Sequence, residues 1–233
     1  MASRGGWWRL VVGLLIFGVA FGYVEAAVVA YLRAMYAPLR AHFYPMASPG
    51  ELFPLLTVDQ LRAIGPEHAT RVETELGREF ATLAMLAGVA LVAARSAREW
   101  IAAFAVCFGV WDIAFYLSLK LLLNWPASLF TWDILFLLPV PWVGPVIAPI
   151  LVSISIIGAG LVILWHEHNH QPLHIAAWRW AVIILGGAIV VAAFMWDFRN
   201  TVMGRSPNPF NWLVFFLGEV TGLLAFASAP RNR

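Results

Sequence analysis

Charge is what this 233-residue chain has least of. Asp, Glu, Lys and Arg make up 12% of it, against about 25% in a soluble domain, while 61% is hydrophobic and mean hydropathy is +0.79. Most of the chain is therefore expected in lipid. Lysine occurs once, at Lys120, and fourteen arginines carry the remaining positive charge. These basic residues sit mainly at the edges of apolar runs, as loop charges do in membrane proteins. No basic stripe is interleaved with aromatics, which argues against a nucleic-acid partner. Cysteine also occurs once, as Cys107 in an apolar run, which excludes an internal disulfide and any multi-cysteine metal motif. There is no P-loop, dinucleotide fingerprint or GxSxG elbow. No His lies in the middle of an apolar run, which argues against a bis-His haem subunit, and the sequence identifies no cofactor.

What is abundant is apolar sequence in lengths of about 20 residues. Six runs stand out, at roughly 8–32, 76–95, 100–124, 143–165, 176–196 and 210–228. Tryptophan favours the membrane interface, and most of the twelve tryptophans mark the ends of these runs: Trp7 and Trp8, Trp100 and Trp125, Trp142 and Trp165, Trp178 and Trp196, and Trp212. The first run continues to Leu32, beyond the 7–15 apolar residues of a signal peptide, so it reads as a retained span. Between the first two runs, Thr57 and Gln60 have capping-box spacing, Gly65 reads as a stop and Pro66 as a start. A short helix to about Ile64 is expected, then a second from Pro66 into the membrane. Residues about 36–78 thus form an extracytoplasmic loop with an amphipathic helical extension on an otherwise single polytopic domain.

The stretch Asn124–Pro149 is apolar but holds five prolines and Asp133. From Pro126 to Leu138 a helix rises only about 20 Å, against a hydrocarbon core of about 30 Å. Pro139, Pro141, Pro145 and Pro149 forbid one regular helix beyond it. The expectation is a short re-entrant or interfacial helix at about 126–138 that roofs a cavity. The predicted fold is an all-α integral membrane protein of six transmembrane helices plus this element. Arg4, Arg9, Arg95, Arg98, Arg179, Arg231 and Arg233 flank the face that holds both termini, so the positive-inside rule puts the termini in the cytoplasm of a cell-membrane protein.

Against this apolar background, five spans each carry a carboxylate: Glu25, Glu79, Asp112, Asp197 and Glu219. Helix rise places them all between the midplane and the outer face. Gly18, Gly22, Glu25 and Val29 share one stripe, as do Ala105, Gly109, Asp112, Tyr116 and Lys120. Small residues mark close helix packing, so these acids should face the bundle. A charge at the bilayer centre costs about 2.5–3.5 kcal/mol even on insertion scales. Lys120, Arg78 and Arg33 are the cations in reach, and they do not balance the acids.

The candidate ligand- or ion-binding residues are therefore Glu25, Glu79, Asp112, Tyr116, Lys120 and Glu219, with Trp132 and Asp133 as the roof. A structural reading stands beside this one: Asp112 and Lys120 as a register lock, Asp133 and Asp197 as interfacial caps. The segment WHEHNHQPLH sets His166 and His170 at i,i+4, the spacing of a helical metal pair. It lacks HExxH and a carboxylate at catalytic spacing, Pro172 should end the helix, and a solvated loop is the better reading.

Three functions fit the sequence. The leading one is a buried acidic cavity in the outer half of the bilayer that binds, and in a transport cycle moves, a cation, a proton or a small polar solute. The second is an accessory or scaffold subunit, with a membrane-protein partner or a second copy of the chain. The third is an intramembrane enzyme acting on a lipid-soluble substrate with Asp112 or Glu25 as acid or base. The bilayer is a partner in all three.

Overall fold

The computed structural model describes residues 4–48, 50–171 and 173–229. The expected helix stop at Pro172 and the flanking charges Arg231 and Arg233 lie outside the described residues, as does the side chain of Arg4. In chain order the elements are α1 (Arg4–Phe43), α2 (Val58–Ile64), α3 (Pro66–Ala93), α4 (Ala97–Leu123), β1 (Trp132–Phe136), β2 (Trp142–Pro145), α5 (Ile147–His168), α6 (Ala177–Met195), α7 (Phe198–Val202) and α8 (Trp212–Ala227). Helices α1, α3, α4, α5 and α6 are long and apolar enough to cross a membrane, and α8 is a shorter apolar helix. The chain is a helical, membrane-embedded protein.

Local chemistry sets the boundaries. Thr57 Oγ1 accepts from Gln60 N at 3.2 Å while Thr57 N donates to the Gln60 side chain at 2.8 Å, so both halves of the capping box are made. Pro66 opens α3. Ser96 Oγ accepts from Glu99 N to cap α4, which Asn124 closes in the left-handed conformation. Helix α1 runs about three turns past the expected span, through Pro38 to Phe43. Its extension is tied down by Arg40, which donates to the carbonyls of Phe53 (2.6 Å) and Pro54 (3.1 Å), and by Tyr44, which donates to Leu55 O (3.0 Å).

Helix α4 is the hub, with α1, α3 and α5 packed around it, while α6 and α8 form a second tight pair. Small residues permit these approaches. A Cβ on Gly22 would lie 2.7 Å from Trp111 O and 2.9 Å from Phe115 N, so α1 rests directly on the backbone of α4. Gly186 and Gly218 bring α6 and α8 together in the same way, a Cβ on either lying within 2.7 Å of the other's carbonyl oxygen. A core of Leu14, Leu86, Ala90, Val106, Cys107 and Leu164 fills the α1–α3–α4–α5 side. The second pair joins it where Phe194 and Phe215 pack with Ala148 and the hairpin residue Trp142.

Between α4 and α5 the structure corrects the expected helix at 126–138. The segment is an antiparallel hairpin, with Trp132 opposite Pro145, Asp133 opposite Gly144, Ile134 opposite Val143 and Phe136 opposite Trp142. Its first strand, Trp-Asp-Ile-Leu-Phe, is built from aromatic and aliphatic residues that suit a pleated, half-buried surface. Pro139 and Pro141 fall in the turn and Pro145 at a strand end, where a missing N–H costs no ladder bond. The length argument against a crossing still applies, but it does not distinguish a helix from a hairpin. The hairpin dips into the bundle: Asp133 bonds Tyr116, while Phe136, three residues further, stacks on Phe108, two helical turns earlier in α4.

Candidate functional site

Beside α4 the structure holds a cleft of about 70 Å³, room for a few waters. Helix α1 contributes Glu25, α3 contributes Arg78, Glu79 and Thr82, and α4 contributes Asp112 and Tyr116. Strand β1 supplies one wall, with Ile134, Leu135 and Phe136. Four of the six expected ligand residues, Glu25, Glu79, Asp112 and Tyr116, therefore meet at one place; the Gly18–Gly22 stripe seats Glu25 on α1 against Asp112 and Tyr116 on α4, and α3 brings Glu79.

Each acid is answered by a different element. Glu25, 5% exposed, forms an ion pair with Arg78 and accepts from Thr82 Oγ1 at 2.8 Å, which joins α1 to α3. Arg78 also reaches Glu75, one turn back on its own helix, at 2.7 Å. Of the three cations in reach by sequence, it is Arg78, from another helix, that pairs with Glu25. Both oxygens of Glu79 accept from the backbone N–H of Leu137 at 3.0 and 2.9 Å, so a carboxylate on α3 holds the hairpin turn. Asp112 Oδ2 accepts from Ser153 Oγ at 2.7 Å, linking α4 to α5.

Asp133 is 3% exposed and is not among the residues that line the cleft. It lies behind the cleft wall, accepting from Tyr116 Oη at 3.1 Å and pairing with Arg33 at 3.4 Å. Burial pushes its carboxyl up to about 6, against the opposing pull of Arg33 and of the Tyr116 hydroxyl. Arg33 stacks its guanidinium 3.6 Å above the Trp125 ring, which fixes it in place. Trp132 packs edge-on against Phe210 and does not line the cleft.

Two candidates lie elsewhere. Lys120 shares the α4 stripe by sequence but is exposed, and its Nζ donates to Asn124 O and Pro126 O at the end of the helix. A flexible cation one turn from a C-terminus finds bare carbonyls there, at less desolvation cost than a buried acid would impose. Glu219 sits on α8 beside Ser155 of α5, away from the cleft, with Oε1 buried and without a hydrogen-bond partner. Asp197 organises its own loop, accepting from Asn200 Nδ2 and from Asn208 N and Nδ2 at 2.6–2.9 Å.

The His pair does not form. Helix α5 ends at His168, His166 is buried with Nδ1 3.1 Å from Gln171 O, and His170 lies in the turn beyond at φ 55°. Among the described residues no three His, Cys, Asp or Glu side chains are grouped so as to hold a metal ion. Thr82 and Ser153 were the residues the sequence did not single out. Thr82 stands four residues after Arg78 on the same helix face, a signal that was available. Ser153 is one of two serines in an apolar run and carries no such mark.

Comparison of the chain with known families, curated proteins and solved structures returns no match, so the site is read from its own chemistry.

Proposed function

We propose that this membrane protein binds a small cation, a proton or a small polar solute in the acidic cleft between α1, α3, α4 and β1. One observation carries the reading: the cleft is lined by three carboxylates, Glu25, Glu79 and Asp112, and one guanidinium, Arg78. Arg33 and Asp133 balance each other behind the wall and leave that excess untouched. Uncompensated charge at membrane depth is expensive. A bound cation or bound protons remove that cost, and a cleft that holds a few waters gives them a place. In the six-span arrangement the cleft lies in the outer half of the bilayer, with both termini in the cytoplasm.

A second reading rests on an equally specific feature. Glu25, Glu79, Asp112 and Asp133 each bond an element other than their own, so the four acids also work as cross-links of a scaffold. Calorimetry on the protein in lipid nanodiscs separates the two. Cations are titrated in two buffers of different ionisation enthalpy, so that proton release is read together with binding. Saturable heat that is weakened in Glu79→Gln and Asp112→Asn supports the cleft. No heat for Na⁺, K⁺ or ammonium ions at any pH from 5 to 9 leaves the scaffold.

A further inference from the structure

The hydrogen bonds around the cleft are unevenly distributed. Glu25 uses both oxygens, on Thr82 and Arg78. Glu79 uses both on Leu137 N–H, and Asp133 uses both, on Arg33 and Tyr116. Asp112 differs. Its Oδ2 accepts from the neutral hydroxyl of Ser153, its Oδ1 accepts from no described residue, and no cation pairs with it. Oδ1 is not among the sealed, unpartnered polar atoms of the described residues, so it keeps accessible surface on a residue that lines the cleft.

The surroundings of this free oxygen are aromatic. Trp111, Phe115, Tyr116 and Phe136 line the same cleft, and Trp111 lies 6.3 Å from Phe115 and 6.2 Å from Phe136, ring centre to ring centre. Trp111 is only 7% exposed, and its indole N–H is sealed from the cleft, so the residue presents its ring rather than a polar atom to that space. The open place in the polar lining is the carboxylate oxygen of Asp112.

We infer that Asp112 is the ligand-binding carboxylate and that its ligand is a small organic ammonium ion, with the ring faces of the cleft around the cationic head. This rests on the cation-binding reading of the cleft and narrows its ligand class. One vacant carboxylate oxygen suits an N–H donor. A hard metal cation takes six or more oxygens, or keeps its waters and needs room for them. Aromatic faces favour a weakly hydrated organic cation, through attraction to the ring quadrupole. The volume of about 70 Å³ suits a ligand of a few heavy atoms.

The test is binding to the full chain in nanodiscs, followed by tryptophan fluorescence and calorimetry, with methylammonium, ethylammonium, tetramethylammonium, Na⁺ and K⁺ as probes. Methylammonium should bind saturably, and tetramethylammonium, which has no N–H donor, at least tenfold more weakly. Asp112→Asn should weaken methylammonium at least tenfold. Phe115→Leu, which leaves every charge in place, should weaken methylammonium several-fold, and this keeps the inference testable if Asp112→Asn fails to assemble. Ser153→Ala should retain binding, since Oδ1 remains. Saturable Na⁺ or K⁺ binding without methylammonium binding overturns the inference but leaves the cation cleft standing. Methylammonium binding that ignores both Asp112→Asn and Phe115→Leu overturns the assignment of the site. No binding of any probe overturns this inference together with the cation-binding reading it rests on, and leaves the scaffold.

Discussion

Replacing Arg78 by Met strips one guanidinium from two carboxylates at once, Glu25 on α1 and Glu75 on α3. Arg78 is 24% exposed at its side chain and Glu25 7%, so water does not replace the lost partner well. Removing one member of a buried ion pair typically costs about 3–5 kcal/mol, because the other charge is left uncompensated. Thr82 still donates to Glu25, and Glu75 is the more exposed acid, so the lower end, about 3 kcal/mol, is expected here. Glu25→Gln alone removes the charge but keeps an acceptor for Thr82, and should cost about 1–2 kcal/mol. The double variant should be more stable than the sum of the two by about 1–3 kcal/mol, the coupling expected of residues in direct contact. Reversible unfolding of the four proteins in bilayer discs, by steric trapping, gives all four free energies. Additivity within about 0.5 kcal/mol would refute the claim that this pair joins α1 to α3.

Gly22→Val should disrupt assembly, because its Cβ meets α4 backbone that cannot yield, with a cost of about 1–3 kcal/mol; Gly158→Ala, which meets open space, serves as the tolerated control in the same thermal melts. Thr57→Ala removes the capping box and should cost about 1 kcal/mol, read as faster amide exchange confined to α2. Raised to about 6 from its ordinary 3.8, the Asp133 carboxyl holds a proton in the folded state that the unfolded chain has released. Its contribution is therefore present below about pH 4 and lost as pH rises through about 6, so the stability of Asp133→Asn should change less across that window than wild type does. Cysteines placed at Ser96 and Asn208 in a Cys107→Ala background should label from opposite faces of sealed vesicles; labelling from one face would overturn the six-span topology.

Much of this fold was legible because its signals are local. Thr57 with Gln60, Gly65 with Pro66, and tryptophans at the ends of apolar runs each mark a boundary within a few residues. The glycine stripes showed which faces of α1 and α4 pack, and hence that Glu25, Asp112 and Tyr116 converge. What depended on distant pairing was not legible. Arg78 lies 53 residues from Glu25 and Ser153 lies 41 from Asp112, and no periodicity within one helix reports such partners. Lys120 misled for the opposite reason: a helical stripe gives the direction of Cβ, while a long side chain turns to the nearest carbonyls. The hairpin was missed because a short apolar run has no period that separates strand from helix.

The hairpin and the acid layer belong to one physical problem. A two-stranded sheet is marginal by itself, and irregular backbone at membrane depth persists only against protein or water. An unsatisfied N–H there costs about 1–3 kcal/mol. Leu137 N–H is such a group, at the turn of the hairpin, and Glu79 is an acid with no cation of its own. Each meets the need of the other, and neither is tolerable alone. The same holds one layer outward, where Asp133 on the strand takes its partners from Arg33 on α1 and Tyr116 on α4. One of the carboxylates that make the cleft acidic, Glu79, therefore also holds its β wall in place, together with Asp133 behind it. A ligand that draws charge from Glu79 or Asp133 must then act on the hairpin, whereas one bound at Asp112 Oδ1 leaves every one of these cross-links intact.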